Sequence, residues 1–318
     1  MIKPLSATRT AGVSWLLAVA VPLLALAVVP GCRKTSGAGE GQPAASPALS
    51  PAKATAGDSL ATCPDAGRPQ GRLRRAEKLA AERITQASRL LRRGQDGLEL
   101  WETPSGDYWI LAHEFSTLAW VLAEQEVGIY GDASAGVHAG DVVLDCGAHF
   151  GGYTRKALEM GAKVVVAIEI APENIACLRK TFAAEIKAGR VIVYPKGVWN
   201  KDDTLVLYRA AHSWGDRATD DPREKGPSVP LTTIDKIVAD LALPRVDFIK
   251  MDIEGAERNA LAGAADALRR FRPRMAIAAY HRGDQDLAEL PAEALKPQPA
   301  YEVCLWGRGW GNQTLFFR

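Results

Sequence analysis

Between Val142 and Ala279, short β-rich runs alternate with helical segments, and this alternation limits the possible folds more than any other feature of the chain. Val142 to Asp145, Val164 to Ile168, Val191 to Tyr194, Phe248 to Met251 and Met275 to Ala279 have the length and apolar character of buried strands. Helical patterns begin at Thr154, Glu173 and Ala256. Strands apolar on both sides must be covered on both sides, so the pattern predicts an α/β fold with a mostly parallel sheet and helices on both faces. In such a sheet, ligands bind beyond the carboxyl ends of the strands, where the strand order reverses. The chemistry is therefore sought wherever a strand stops.

The first stop is "VVLDCGAHFGGYT", Val142 to Thr154. Gly147 permits a tight turn, Gly151 and Gly152 let backbone approach a ligand, and a helix starting near Thr154 aims free N–H groups at the loop. His149 stands where a dinucleotide fingerprint wants its second glycine, which argues against a pyrophosphate on this backbone. Asp145 adds a negative charge that repels phosphate and tolerates a cation. The second strand ends at Ile168-Glu169, with Glu169 placed to accept from both hydroxyls of a ribose. Together these stops describe a site for a nucleoside bearing a positive group. The third informative stop is "FIKMDIEGAE", Phe248 to Glu257, where an apolar run meets three carboxylates.

These residues carry a resemblance. "LDCGAHFGGYT" at Leu144 to Thr154, "AIEIAPEN" at Ala167 to Asn174, "LTTIDKIV" at Leu231 to Val238 and, most specifically, "DFIKMDIEGAE" at Asp247 to Glu257 resemble the FkbM family of S-adenosylmethionine-dependent methyltransferases. The resemblance implies the class I methyltransferase (Rossmann-like) fold, a seven-stranded, mostly parallel sheet whose last two strands are antiparallel; "YEVCLWG" and "NQTLFFR" fit that pair. It implies S-adenosylmethionine as cofactor, held by Asp145, Gly147, His149, Gly151, Thr154 and Glu169. His149 departs from the asparagine often seen at its position. The implied reaction is O-methylation of a hydroxyl on a small molecule or sugar.

Methyl transfer from a sulfonium needs alignment of oxygen, carbon and sulfur and a place for the hydroxyl proton. Asp252 at the strand mouth is the expected base, with Glu254 and His281 as further candidates. A divalent metal clamped by Asp252 and Glu254 is an alternative. Asp235 reads as a helix N-terminal acid, and His212, Ser213 and Trp214 as either an acceptor-pocket loop or a surface turn.

Four segments are expected: a signal peptide or membrane anchor at 1–32, a disordered linker at 33–71, an N-terminal helix, hairpin and helix at 72–139, and the FkbM-like methyltransferase domain at 140–318. Lys3 and Arg9 precede an apolar run that ends in Gly31-Cys32, resembling a bacterial lipoprotein signal; an uncleaved anchor is the alternative. Either makes the protein membrane-associated, on a side of the membrane that the flanking charges leave open. The linker is rich in Ala, Pro, Gly and Ser. Arg72 to Arg93 reads as one basic amphipathic helix stopped by Gly94, either docked on the domain or lying on anionic lipid. "LELWETPSGDYWIL" from Leu98 reads as a hairpin turning at Gly106.

The five cysteines show no paired spacing, so neither a zinc site nor a disulfide framework is expected. The 39 basic and 37 acidic residues balance to +2, which gives no nucleic-acid footprint. Because S-adenosylmethionine is made in the cytosol, an exported domain conflicts with catalysis. The rival reading is therefore a membrane-tethered binding protein with a catalytically inactive methyltransferase fold. A nicotinamide-dependent oxidoreductase suits the fold but not His149 or the Asp252 segment.

Overall fold

The computed structural model describes residues 60–63, 70–131, 135–307 and 312–318. The segment expected to be a signal or anchor, with Cys32, and most of the expected linker lie outside these residues. Among the described residues, no helix is long and apolar enough to cross a membrane.

The chain enters as β1 (Ala61–Thr62) and α1 (Gln70–Ala87), followed by β2 (Arg89–Arg93), β3 (Leu98–Thr103), β4 (Gly106–Leu111) and α2 (Phe115–Val127). The α/β core continues with β5 (Val142–Cys146), α3 (Gly152–Glu159), β6 (Val164–Ile168), α4 (Pro172–Thr181), α5 (Ala183–Lys187) and β7 (Val191–Tyr194). An insertion supplies β8 (Gly197–Val198), β9 (Asp203–Tyr208), β10 (Arg217–Thr219) and β11 (Ser228–Thr232). After it come α6 (Ile234–Asp240), β12 (Phe248–Met251), α7 (Glu257–Ala262), α8 (Ala265–Phe271), β13 (Arg274–Ala278), α9 (Asp284–Leu295), β14 (Val303–Trp306) and β15 (Thr314–Phe317).

The main sheet runs β1-β14-β15-β13-β12-β5-β6-β7. Its pairs are parallel except those of β15 with β13 and β14. The expected class is present, with one strand more than the seven anticipated. The extra strand is β1, drawn from the expected linker; Ala61 pairs with Cys304 and Thr62 with Leu305. A disulfide between Cys63 and Cys304 fixes it there, with Cα atoms 5.0 Å apart. This corrects the expectation of no disulfide: the partners are 241 residues apart, so no local spacing announces them. Cys146 and Cys177 are free and buried, as small core residues are.

Side chains alternate across the sheet with period two. Leu144, Val166, Ile249, Met275 and Ile277 pack with Ile234, Leu261, Leu268 and Leu290 from α6 to α9 on one face. Val143, Val165, Phe248 and Ala276 meet Tyr153 and Ala157 of α3 on the other. Complete burial of each Phe or Ile stabilises by about 1.5–3 kcal/mol, which explains why both faces read as apolar. Order reverses between β5 and β12, neighbours in space but 106 residues apart at their first positions, Val142 and Phe248 being separated by two strands and the insertion. The cleft therefore opens at their carboxyl ends.

The helix expected over 72–93 ends at Ala87, and Arg89 to Arg93 instead pair with β3. α1 lies docked: Ala80, Ala81 and Ile84 pack with Leu118 and Leu122 of α2 and with Tyr108 and Ile110 of β4. That is the docking alternative, not the lipid-bound one. β3 and β4 form the hairpin, in a register that pairs Thr103 with Gly106. The insertion forms a separate sheet, β10-β9-β11-β8, for which the sequence pattern indicates only the β-rich "PLTTI" of β11. Asp235 lies in the first turn of α6, whose cap is Thr233 accepting from the Lys236 N–H. Its carboxylate reaches across to accept the N–H groups of Asp266 and Ala267, at the start of α8.

Candidate active site

The strand ends line one continuous cavity of about 960 Å³. Gly147, His149 and Glu169 form its wall on the β5 and β6 side, Asp252 and Glu254 its wall after β12, and His281 its wall after β13. His212 and Ser213 also line it, as the acceptor-pocket reading of that loop anticipates.

Gly147 has φ +77°, a left-handed conformation suited to glycine. Its N–H and that of Ala148 both donate to the Ile168 carbonyl, tying the first loop to the end of β6. His149 follows with φ +54°, unusual for a residue with a side chain. That turn aims its N–H at Glu169 Oε2, 2.7 Å away. Glu169 Oε1 accepts from the N–H groups of Ile170 and Ala171 at 2.7 and 2.8 Å. Three of roughly four acceptor positions on this carboxylate are thus taken. Oε2 keeps room for one further donor, so the expectation of accepting both ribose hydroxyls narrows to one. Burial raises the Glu169 pKa, against the three N–H donors and Lys250 that lower it. The His149 ring packs on Phe150, and its Nε2 lies 2.8 Å from Ser213 Oγ. Burial, reinforced by Lys250, lowers its pKa to about 3, so the ring is neutral at ordinary pH.

Asp145, Gly151 and Thr154, expected to contact the cofactor, stand behind this wall and do not line the cavity. Asp145 is fully buried and accepts from Thr154 Oγ1 at 2.6 Å. Its other oxygen lies 3.3 Å from Lys250 Nζ. A carboxylate at zero exposure requires such a partner, and Lys250 supplies it. Lys250 also donates to the Gly147 carbonyl at 2.7 Å, which braces the glycine loop. A β-carbon on Gly151 would lie 2.2 Å from the Phe182 ring, so this glycine serves helix packing. The three residues support the loop that the sequence had them contacting the ligand from.

The β12 end has a denser arrangement. Tyr130 Oη donates to Asp252 Oδ2 at 2.5 Å. His281 Nε2 lies 3.3 Å from Asp252 Oδ1 and 3.4 Å from Glu254 Oε1, while its Nδ1 lies 3.0 Å from Glu257 Oε1. Glu257, the third acid of the motif, has no exposed side-chain surface. It accepts the Ile253 N–H at 2.9 Å, so it closes the turn as well as facing His281. Glu254 has φ +57° and is followed by Gly255 at φ +96°, a turn that swings the carboxylate back toward His281.

This geometry redistributes the roles expected of the three candidates. Burial would raise the Asp252 pKa, but His281, Lys250 and Tyr130 outweigh it and hold the pKa well below the usual range. Asp252 is therefore a weak proton acceptor, contrary to its assignment as base. His281 is driven the other way: burial disfavours its charge, yet Asp252, Glu254 and Glu257 raise its pKa far above that of a free imidazole. Without another cation in the cluster it stays protonated and cannot serve as a base either. Glu254 has its pKa raised, chiefly by burial.

Glu124 and Tyr130 are among the cavity residues that the sequence pattern does not single out. Glu124 of α2 has its pKa raised to about 8, first by burial and then by Asp252 and Glu77. Asn312 Nδ2 donates to its Oε1 at 2.8 Å. Tyr130, which follows α2, anchors Asp252. Both come from the segment before the parallel core, and an isolated Glu in an amphipathic helix carries no signal that it faces a cleft.

The fold is Rossmann-like, and its cleft joins Glu169 to a set of acid–base groups. Residues 145–296, just under half of the chain, match the family model described as Methyltransferase FkbM domain. A methyltransferase FkbM from Methylobacillus flagellatus KT is similar at 20% identity and TM-score 0.47, covering 78% of this chain and 59% of that one. The chain thus spans about three fifths of that structure's length. An O-methyltransferase from Bacillus cereus in complex with SAH is similar at 10% identity and TM-score 0.36, covering 79% of this chain and 92% of its own. No curated protein matches the chain.

Proposed function

We propose that the protein is an S-adenosylmethionine-dependent O-methyltransferase acting on a hydroxyl of a small molecule or sugar, tethered at a membrane by its N-terminal segment. The observation that carries this reading is the joining of Glu169 and the Asp252–Glu254–His281 group by one cavity. Its volume of about 960 Å³ lies at the upper end of the range for ligand sites, which accommodates a cofactor and a small acceptor together. Hydroxyls and carboxylates of Glu124, Tyr130, Ser213 and Tyr280 line it, suiting a polyhydroxylated acceptor.

The residues present fit the cofactor. Gly147 lets the first loop pack against the Asp252 main chain at the cavity wall, Glu169 Oε2 has one acceptor position free, and Asp252 offers an ionised carboxylate to a cation. When bound, S-adenosylmethionine supplies an electrophilic methyl group on a sulfonium. Glu169 orients a ribose hydroxyl, Asp252 stabilises neighbouring positive charge, and Glu124 takes the acceptor proton. Such alignment can lower a barrier by roughly 7–11 kcal/mol in favourable cases, and a positioned base adds about 10²- to 10⁴-fold. The Cys63–Cys304 disulfide supports an oxidising location, since such bonds persist outside the cytosol. The same observation favours, as second reading, a tethered binding protein with an inactive site.

Calorimetry with S-adenosylmethionine and with S-adenosylhomocysteine (SAH) tests both readings, paired with transfer of labelled methyl to small-molecule extracts. Binding with formation of a base-stable methyl ether supports the enzyme. Binding without any transfer supports the inactive fold, and absence of binding overturns both.

A further inference from the structure

We propose that Asp252, Glu254 and His281 form a mononuclear site for a first-row divalent metal ion on the cavity wall, with an open coordination position for the acceptor hydroxyl. The metal-binding part stands on the geometry alone; the role given to the open position rests on the methyltransferase reading.

The donors are already gathered. One atom from each of the three side chains lies within 4.8 Å of the others. Metal–ligand bonds of about 2.1 Å place neighbouring donors roughly 3.0–3.4 Å apart. The separations of His281 Nε2 from Asp252 Oδ1 and Glu254 Oε1, 3.3 and 3.4 Å, meet that requirement.

The cluster also does not satisfy itself. The His281 side chain is 8% exposed, yet neither of its ring nitrogens has a hydrogen-bond partner, and Asp252 Oδ1 has none either. The two atoms face each other at the proper distance with the wrong directionality for a hydrogen bond. An imidazolium would answer the charge of these carboxylates and leave that geometry unanswered. An ion between the donors answers both.

The surroundings are those of a metal-bound histidine. Fully buried Glu257 lies 3.0 Å from Nδ1, so an Nδ1–H tautomer leaves Nε2 as the donor on the side of Asp252 and Glu254, with its lone pair falling between their oxygens. A carboxylate behind the outer nitrogen of a ligating histidine both fixes its tautomer and strengthens it as a donor. Tyr130 performs the matching task for Asp252, occupying Oδ2 and turning Oδ1 toward the cluster. Two carboxylate oxygens and one imidazole suit Mn²⁺ or Zn²⁺; three donors are too few for Ca²⁺, which takes six to eight oxygens. Three protein ligands leave positions open, as in catalytic metal sites, and a hydroxyl bound there would be acidified.

The test is Mn²⁺ binding to EDTA-stripped full-length protein, followed by electron paramagnetic resonance and calorimetry, with Zn²⁺ and Mg²⁺ as competitors and SAH affinity measured in parallel. One Mn²⁺ per chain is expected. Glu254→Gln and His281→Gln should each weaken it at least about 100-fold, and Glu257→Gln about 10- to 100-fold, with SAH affinity within a few-fold as evidence of intact folding. If Mn²⁺ binds and SAH does not, the metal site stands and the methyltransferase reading falls. If SAH binds while none of the three metals does, the site is an ion-paired histidine and the proposal is overturned. Metal binding undiminished in both Glu254→Gln and His281→Gln overturns it equally.

Discussion

Gly147 and Asp252 approach so closely that a β-carbon on residue 147 would lie 1.9 Å from the Asp252 main-chain oxygen. The glycine loop after β5 and the acidic turn after β12 are therefore a single piece of architecture. Alanine at 147 would meet backbone rather than a yielding side chain, and would also have to adopt φ +77°. Gly147→Ala is expected to lower folding stability by at least about 2 kcal/mol and to abolish SAH binding; denaturant unfolding and calorimetry check the two together.

Glu169 should dominate cofactor affinity. Its ionised form can make one charge-assisted hydrogen bond into the cavity, and losing such a bond costs about 1.5–3 kcal/mol. Glu169→Ala is thus expected to weaken SAH binding by about 10- to 100-fold. An unchanged dissociation constant would show that the ribose lies elsewhere.

Asp252→Asn separates chemistry from binding. The substitution removes a fixed charge and disturbs the contacts with Tyr130 and His281, while the loop and Glu169 remain. Methyl transfer is expected to fall by at least about 100-fold, with SAH affinity changed only a few-fold. Loss of both would make Asp252 a structural residue.

The proton acceptor gives a pH signature. Glu124, raised to about 8, accepts a proton only when ionised, so kcat/KM should rise with pH and level off above about 8. Glu124→Gln should remove that limb and lower the rate about 10²- to 10⁴-fold. For stability the sign is opposite. The native state binds a proton that the unfolded state releases near pH 4.5, so this group's contribution declines as pH rises from about 4.5 to about 8. Melting curves of the Glu124→Gln variant should lack that decline.

Reduction tests the covalent clasp. Removing a native disulfide costs about 2–5 kcal/mol in typical cases. Cys63→Ser, or dithiothreitol treatment, should lower the unfolding free energy by that amount, read as a lower denaturant midpoint, without changing SAH affinity, because neither cysteine lines the cavity.

The core strands were legible because their short runs are apolar, and two of them stop at a charge: Ile168 before Glu169, Met251 before Asp252. The chain changes there from apolar to charged within one residue. What the sequence did not show arises from contacts between distant segments. β9, "DTLVLY", is half exposed in a small sheet, so its alternation is weak. Arg89 to Arg93 continue the basic helical pattern and become a strand only because β3 offers an edge. The carboxylates of the motif were identified, but their roles depend on Lys250 below, Tyr130 before and His281 after. Burial together with those charges, invisible in spacing, lowers the Asp252 pKa and raises that of Glu124.

The Cys63–Cys304 bond has a mechanical meaning. It closes a covalent ring that contains every cavity-lining residue except Asn312. Tension applied at residue 60 and resisted at the carboxyl terminus passes through that bond into β14 and its pairing with β15, bypassing the chain from residue 64 to 303. The substrate cleft sits inside a slack loop, so a pull on the amino-terminal side would strain the edge of the sheet before it could distort the place where chemistry occurs.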